Sequence, residues 1–290
     1  MMTDKKERKI QIMLKNTDFI KKDNNELFNF HDEEIPYISY KCFDELSFVK
    51  NAFTLRMTSS NKLVYMFPEN APSLDATKEC CNILASELGT DTDHRVTPFQ
   101  KHTANVHVVT KADLGHPIDN RHIKNTDGLV TNIRGAHICI SVADCIPLCF
   151  VDPSKKAIGI AHSGRKGTQF KIGKNVVEKM TETFGSDPRD IIATIGPGIC
   201  QSCYEVGSEI LTEFEDDWGI DASAPLFKEH GSKYLLDLWL ANRMVLREAG
   251  LREENIITTN ICNRCNSDKF YTFRGDGRII NQICASLLLL

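Results

Sequence analysis

The chain has no basic excess, no long apolar run and no internal repeat, and each absence removes a class of protein. Its 35 Lys and Arg stand against 39 Asp and Glu, a formal charge of −4. A nucleic-acid binder carries the opposite balance, or at least a basic stripe. One short basic run, Lys5, Lys6, Arg8 and Lys9, is surrounded by acidic residues and reads as a solvated terminus. The first residues lack the apolar stretch of a secretory signal. The apolar tail, residues 285–290, is far too short to span a bilayer and reads as a docked terminal segment or an interface strip. Eleven cysteines is an odd count. Without an export signal, it favours reduced thiols and a metal ligand over a disulfide framework. The expectation is a cytoplasmic protein with a small-molecule substrate, no nucleic-acid or membrane partner, and a monomeric or homodimeric state.

What is present is an ordinary globular composition, 41% hydrophobic and 26% charged, with enough residues for a real core. Three helices are expected. One runs from about Ser73 or Asp75 to Leu88 and stops at Gly89. A second starts near Thr168 and turns Ile172, Val176, Val177, Met180 and Phe184 to one side before Gly185. A third follows Asp237 as N-cap and ends at Gly250, with Leu240, Met244 and Ala249 available for its buried face. Short β-rich runs mark strands over 137–142, 157–161, 191–195 and 256–259, with a shorter candidate at 129–131. Strand follows strand around 129–161, so mixed sheets covered by helices are expected rather than a pure βαβ repeat. Residues 1–35 read as a charged segment, weakly structured or strand-forming, ahead of a single domain over 36–290.

Three segments combine metal-competent side chains with strand-end punctuation. They are Gln100-Lys101-His102, Ala143-Asp144-Cys145-Ile146-Pro147, and Ala161-His162-Ser163-Gly164-Arg165-Lys166-Gly167. A strand is expected to break after Cys145, because proline cannot continue it. Two imidazoles and a thiolate suit Zn²⁺, and three protein ligands leave a fourth position open for water or substrate. The glycine-rich turn after His162 adds two cations and a helix N-terminus, a place for phosphate. From spacing alone a single His or Cys at a strand end is more often structural than liganding.

At these residues the sequence resembles the laccase-domain family, the YfiH-type proteins labelled multicopper polyphenol oxidases and later purine nucleoside phosphorylases. The likeness continues in order through Asp127-Gly128-Leu129-Val130-Thr131, Ile195-Gly196-Pro197-Gly198-Ile199, Cys203-Tyr204-Glu205-Val206-Gly207, Phe270-Tyr271-Thr272-Phe273-Arg274 and Gly277-Arg278. It implies a four-layer α/β/β/α sandwich and a Zn²⁺ held by His102, Cys145 and His162. It also implies phosphorolysis of adenosine, inosine and methylthioadenosine, and deamination of adenosine. Arg56 matches an arginine that the family carries, and with Arg274 it forms a candidate phosphate clamp. Gly164, Lys166 and Gly167 would complete that site. Asp144 is the candidate for orienting a ligand histidine or for acid–base work, and it equally suits a turn cap. The family's His-Ala-Gly-Trp-Arg-Gly turn reads His162-Ser163-Gly164-Arg165-Lys166-Gly167 here, so an aromatic wall is lost and a cation gained.

Three other readings compete. A four-copper oxidase needs about ten histidines in His-x-His pairs. This chain has nine in all and no such pair, which leaves copper as an adventitious metal. Cys145 can instead be the nucleophile of a hydrolase, with His162 or His102 as base; the resemblance implies peptidoglycan precursors as its substrate, since the family is also linked to their cytoplasmic editing. A non-enzymatic reading takes Cys200/Cys203 and Cys262/Cys265 as a structural zinc site in a binding module. The 58 residues between these pairs far exceed the roughly 15–20 of a compact zinc ribbon, which speaks against it.

Overall fold

The computed structural model describes residues 27–277 and 281–290; the basic run at Lys5, Lys6, Arg8 and Lys9, and Arg278, lie outside them. Two six-stranded mixed sheets dominate. The first has the order β1 (Phe28–His31), β2 (Tyr37–Tyr40), β3 (Val49–Thr54), β15 (Ile283–Leu289), β7 (His137–Val142), β4 (Arg95–Val96). The second has the order β14 (Ile256–Thr258), β10 (Ile192–Ile195), β8 (Ile146–Asp152), β9 (Ala157–Ser163), β6 (Gly128–Thr131), β5 (Val106–Val108). A small third sheet joins β11 (Glu205–Val206), β13 (Lys233–Leu236) and β12 (Phe227–His230). The pairs β4/β7, β5/β6 and β10/β14 are parallel. The α-helices are α1 (Lys41–Asp44), α2 (Leu74–Glu87), α3 (Arg165–Gln169), α4 (Ile172–Phe184), α5 (Ser208–Trp218), α6 (Ile220–Ser223) and α7 (Leu238–Glu248).

Strand alternation explains the layering. On β15, Ile283, Ala285, Leu287 and Leu289 enter the core between the sheets, while Cys284 and Leu288 face the opposite way, towards Cys80, Cys81 and Leu84 of α2. On β8, Cys149 and Val151 point into the same central core, and Ile146, Leu148 and Phe150 pack under α4 and α7. Helix, sheet, sheet and helix therefore stack with three apolar seams, the α/β/β/α sandwich that the resemblance implies. Helix ends follow local chemistry. Ser73 Oγ accepts from Ala76 N–H, Asp237 accepts from Leu240 N–H, and Gly185 closes α4 at φ 69°.

One expectation is sharpened and two change. Of the two readings of the apolar tail, the docked segment holds and the interface strip does not: β15 is a central strand, hydrogen-bonded to β3 and β7. Fully burying each of its leucines stabilises the fold by about 1.5–3 kcal/mol. Pro147 does not end a strand; it is the second residue of β8, opposite His162, where its carbonyl accepts from Gly196 N–H. The helix expected from Thr168 is two helices, α3 and α4, broken at Lys171 with φ 56°. Within residues 1–35, the stretch 28–31 pairs with β2 as the edge of the first sheet. No helix among the described residues is long and apolar enough to cross a membrane.

Candidate metal centre and cavity

The chain passes from one sheet to the other between Val142 of β7 and Ile146 of β8, and the three-residue crossing carries Asp144 and Cys145. Asp144 adopts φ 78° to make this tight reversal, a left-handed conformation that Asp tolerates better than most residues. Gly198 lies against it, with no room for a side chain: a Cβ there would sit 2.4 Å from Ile146 Cδ1 and 3.0 Å from the Asp144 carbonyl. Because β8 and β9 pair with Ile146 opposite Ser163 and Pro147 opposite His162, Cys145 and His162 meet at one sheet end. The third segment comes from a loop pinned to both sheets. The Gln100 side chain exchanges hydrogen bonds with Ser141 N and O on β7, and His102 N–H donates to Asp127 beside β6.

The candidate ligand atoms of His102, Cys145 and His162 lie within 4.8 Å of one another. Cys145 Sγ is 4.0 Å from His102 Nε2, and the two imidazoles stand edge to face with centroids 4.8 Å apart. Gly164 roofs the trio, since a Cβ at that position would lie 2.8 Å from Cys145 Sγ and 3.0 Å from His102 Cδ2. Sequence reasoning assigned no role to Asp127, which is the hub of this centre. Its buried carboxylate accepts from His162 Nδ1–H at 2.8 Å, from the backbone N–H groups of Lys101, His102 and Thr103, and from the Thr103 hydroxyl. That fixes the His162 tautomer and leaves Nε2 as its ligand atom. Asp144 takes a different part: it accepts from Arg274 N–H at 2.7 Å, holding the loop that carries Arg274.

The electrostatics follow from this packing. Burial alone would raise the Cys145 thiol, but the charge of His162 and hydrogen bonds from both histidines outweigh it and bring it to about 6. Burial would lower His162, yet Cys145 and Asp127 raise it to about 10. Without a cation the pair is a thiolate beside an imidazolium, a concentration of ligand charge ready to exchange its proton for a metal. The donor set, its spacing and the supporting carboxylate fit Zn²⁺.

The trio opens on a cavity of about 470 Å³ whose walls include Phe99, Tyr204 and Phe273 as well as Lys101, Arg121, Arg165 and Arg274. Arg274 lies over the Tyr204 ring at 5.1 Å, and Arg121 is paired with Glu69 at 2.7 Å. The expected phosphate contacts divide. Arg274 lines the cavity, but Arg56 does not: it pairs with Asp276 at 3.2 Å and donates to the Phe270 carbonyl behind the Arg274 loop. Lys166 is exposed and outside the lining, and Gly167 packs on the His162 carbonyl. From that turn it is Arg165 that faces the cavity, tethered to Glu213 and Gln169.

With this geometry in place, the comparisons decide the family. The family model described as multi-copper polyphenol oxidoreductase laccase matches residues 71–286. The chain belongs to this laccase-domain family. Laccase-domain relatives include a purine nucleoside phosphorylase, YlmD, of Bacillus subtilis. It is 36% identical over 208 residues, 69% of this chain and 74% of that protein. Adenosine deaminase RL5, from an unknown prokaryotic organism, is 35% identical over 193 residues, 66% of this chain and 73% of that protein. The fold matches the crystal structure of Bacillus licheniformis YfiH at TM-score 0.83 and 25% identity, over 90% of this chain and 99% of that one.

Proposed function

We propose that the chain is a zinc-dependent purine nucleoside enzyme that carries out phosphorolysis of adenosine, inosine or methylthioadenosine, deamination of adenosine, or both. The observation that carries this reading is the His102–Cys145–His162 centre opening directly on an aromatic, cation-lined cavity. Its volume, about 470 Å³, falls in the range of small-molecule sites, about 300–1,000 Å³. The relatives named as a phosphorylase and a deaminase point the same way.

Zn²⁺ held by His102, Cys145 and His162 would supply Lewis-acid charge at the cavity. The chain's own residues do the rest. Phe99, Tyr204 and Phe273 enclose the purine and exclude water. Arg274, Arg165 and Lys101 hold the anionic co-substrate against the sugar, a matter of positioning and charge stabilisation. Asp127 keeps the His162 Nδ1 proton and so keeps Nε2 free. Burial raises the Asp144 carboxyl against the pull of the Arg274 N–H, and its place in the cavity wall makes it the acid–base candidate.

Incubation of zinc-loaded protein with adenosine, with and without phosphate, tests the reading. Adenine plus ribose-1-phosphate marks phosphorolysis and inosine marks deamination. No turnover of any purine nucleoside by the loaded protein refutes it. One observation favours a second reading, a thiol hydrolase: the lowered Cys145 thiol beside a raised His162 is also the pattern of a cysteine nucleophile and its base. Stoichiometric metal in the purified protein, with Cys145 resistant to alkylation, excludes it.

A further inference from the structure

We propose that Cys200, Cys203, Cys262 and Cys265 form a second metal site, a closed four-thiolate Zn²⁺ centre that staples together two loops of the cavity wall. The four Sγ atoms lie within 4.8 Å of one another. A tetrahedral ion with Zn–S bonds of about 2.3 Å places its sulfurs about 3.8 Å apart. The Cys203–Cys265 and Cys200–Cys265 separations, 3.6 and 4.0 Å, bracket that value. A disulfide needs about 2.05 Å, and all four residues are free thiols. The backbone N–H groups of Cys200 and Cys265 both point at Cys262 Sγ, at 3.4 Å, where they stabilise a thiolate.

The 58-residue gap between the two pairs is no obstacle, because β10 and β14 are neighbouring parallel strands. The loops leave the same ends of those strands and run side by side. Gly198 and Cys262 form a parallel bridge, Asn263 N–H donates to the Gly198 carbonyl, and the Arg264 guanidinium donates to the Cys203 carbonyl. One loop continues into Tyr204 and the other into Phe273 and Arg274, all cavity residues. The site shares no ligand with the His102 centre. With four thiolates it has no open position, so its role is structural and not catalytic.

Metal analysis of the purified full chain tests the proposal. Two zinc ions per chain are expected, falling to one in Cys262→Ser/Cys265→Ser and to one in His102→Ala/Cys145→Ser. One ion in the wild type that disappears in the second variant overturns the site, as does iron in place of zinc. Should the first variant fail to fold, alkylation of the wild type decides. With zinc loaded, all four cysteines resist iodoacetamide despite the exposure of Cys265, and chelation exposes them to labelling. Equal labelling of Cys265 with and without zinc, or disulfide-linked peptides among the four in freshly purified protein, also overturns it.

Discussion

Replacing Asp127 by Asn preserves volume and changes one acceptor oxygen into a donor, at the residue on which the proposed metal centre depends. The native oxygens divide their work. Oδ1 serves His102 N–H and His162 Nδ1–H, while Oδ2 serves Lys101 N–H, Thr103 N–H and the Thr103 hydroxyl. Whichever way the amide turns, at least two N–H donors lose their acceptor. If its NH₂ faces His162, the imidazole must shift its proton to Nε2, the atom reserved for the metal. Hydrogen bonds to a charged group are each worth about 1.5–3 kcal/mol, so losing two costs about 3–6 kcal/mol. Titration supports a similar scale. Burial raises this carboxyl, but the His162 hydrogen bond and charge and the backbone N–H groups hold it at about 2. Against an unfolded value of about 3.9 that is of order 2–3 kcal/mol. Because the folded value is depressed, this stabilisation is complete above pH ~4 and is lost as pH falls towards 2. Thermal unfolding of the metal-free variant is expected roughly 6–12 °C below wild type, at about 2 °C per kcal/mol. Competition with a chromophoric chelator should show zinc affinity reduced about 10–100-fold. A variant that melts with the wild type and keeps its zinc affinity refutes the assignment of Asp127 as the organising residue.

Gly164→Ala places a methyl against Cys145 and His102 at 2.8 and 3.0 Å while its φ of −73° stays permissive. Zinc affinity should fall at least about tenfold with little change in the melting of the metal-free form, and unaltered affinity argues against the trio as the site. In metal-free protein, Cys145 should react with iodoacetamide with a midpoint near pH 6, set by its lowered thiol. An ordinary free cysteine does so near pH 8.5. Reactivity is expected above the midpoint and lost below it, and zinc should suppress it throughout. Arg274→Ala removes a cavity cation and its stacking on Tyr204. KM for phosphate in phosphorolysis should rise about 10–100-fold, the loss of one charged hydrogen bond, with kcat less affected; an unchanged KM takes Arg274 out of the phosphate site.

The sandwich's helices were legible where capping and periodicity act locally. Ser73, Asp237 and Gly185 mark ends that the structure reproduces, because each cap satisfies backbone groups within its own turn. The strands expected over 137–142 and 191–195 were legible from β-branched runs for the same reason, the second starting one residue later in the structure. The tail was not. A run of leucines says only that something buries it, and pairing with β3 and β7 depends on residues more than a hundred positions away.

The centre divides in the same way. His102, Cys145 and His162 were nameable in advance because ligand chemistry resides in residue type, and the ordered family motifs singled out these three. Their supporting partners were not nameable, because carboxylates and guanidiniums are assigned by neighbours in space. Asp127 rather than Asp144 holds His162, and Arg165 rather than Lys166 faces the cavity. Arg56 turns to Asp276. The two cysteine pairs carry the same lesson, since 58 residues in the chain become less than 5 Å between sulfurs once β10 and β14 lie side by side. Sequence by itself determined which residues can bind a metal and where helices stop, both properties of side-chain chemistry and short-range hydrogen bonding. Tertiary structure alone decided which groups meet, because the pairing of distant strands is set by burying both faces of each sheet at once.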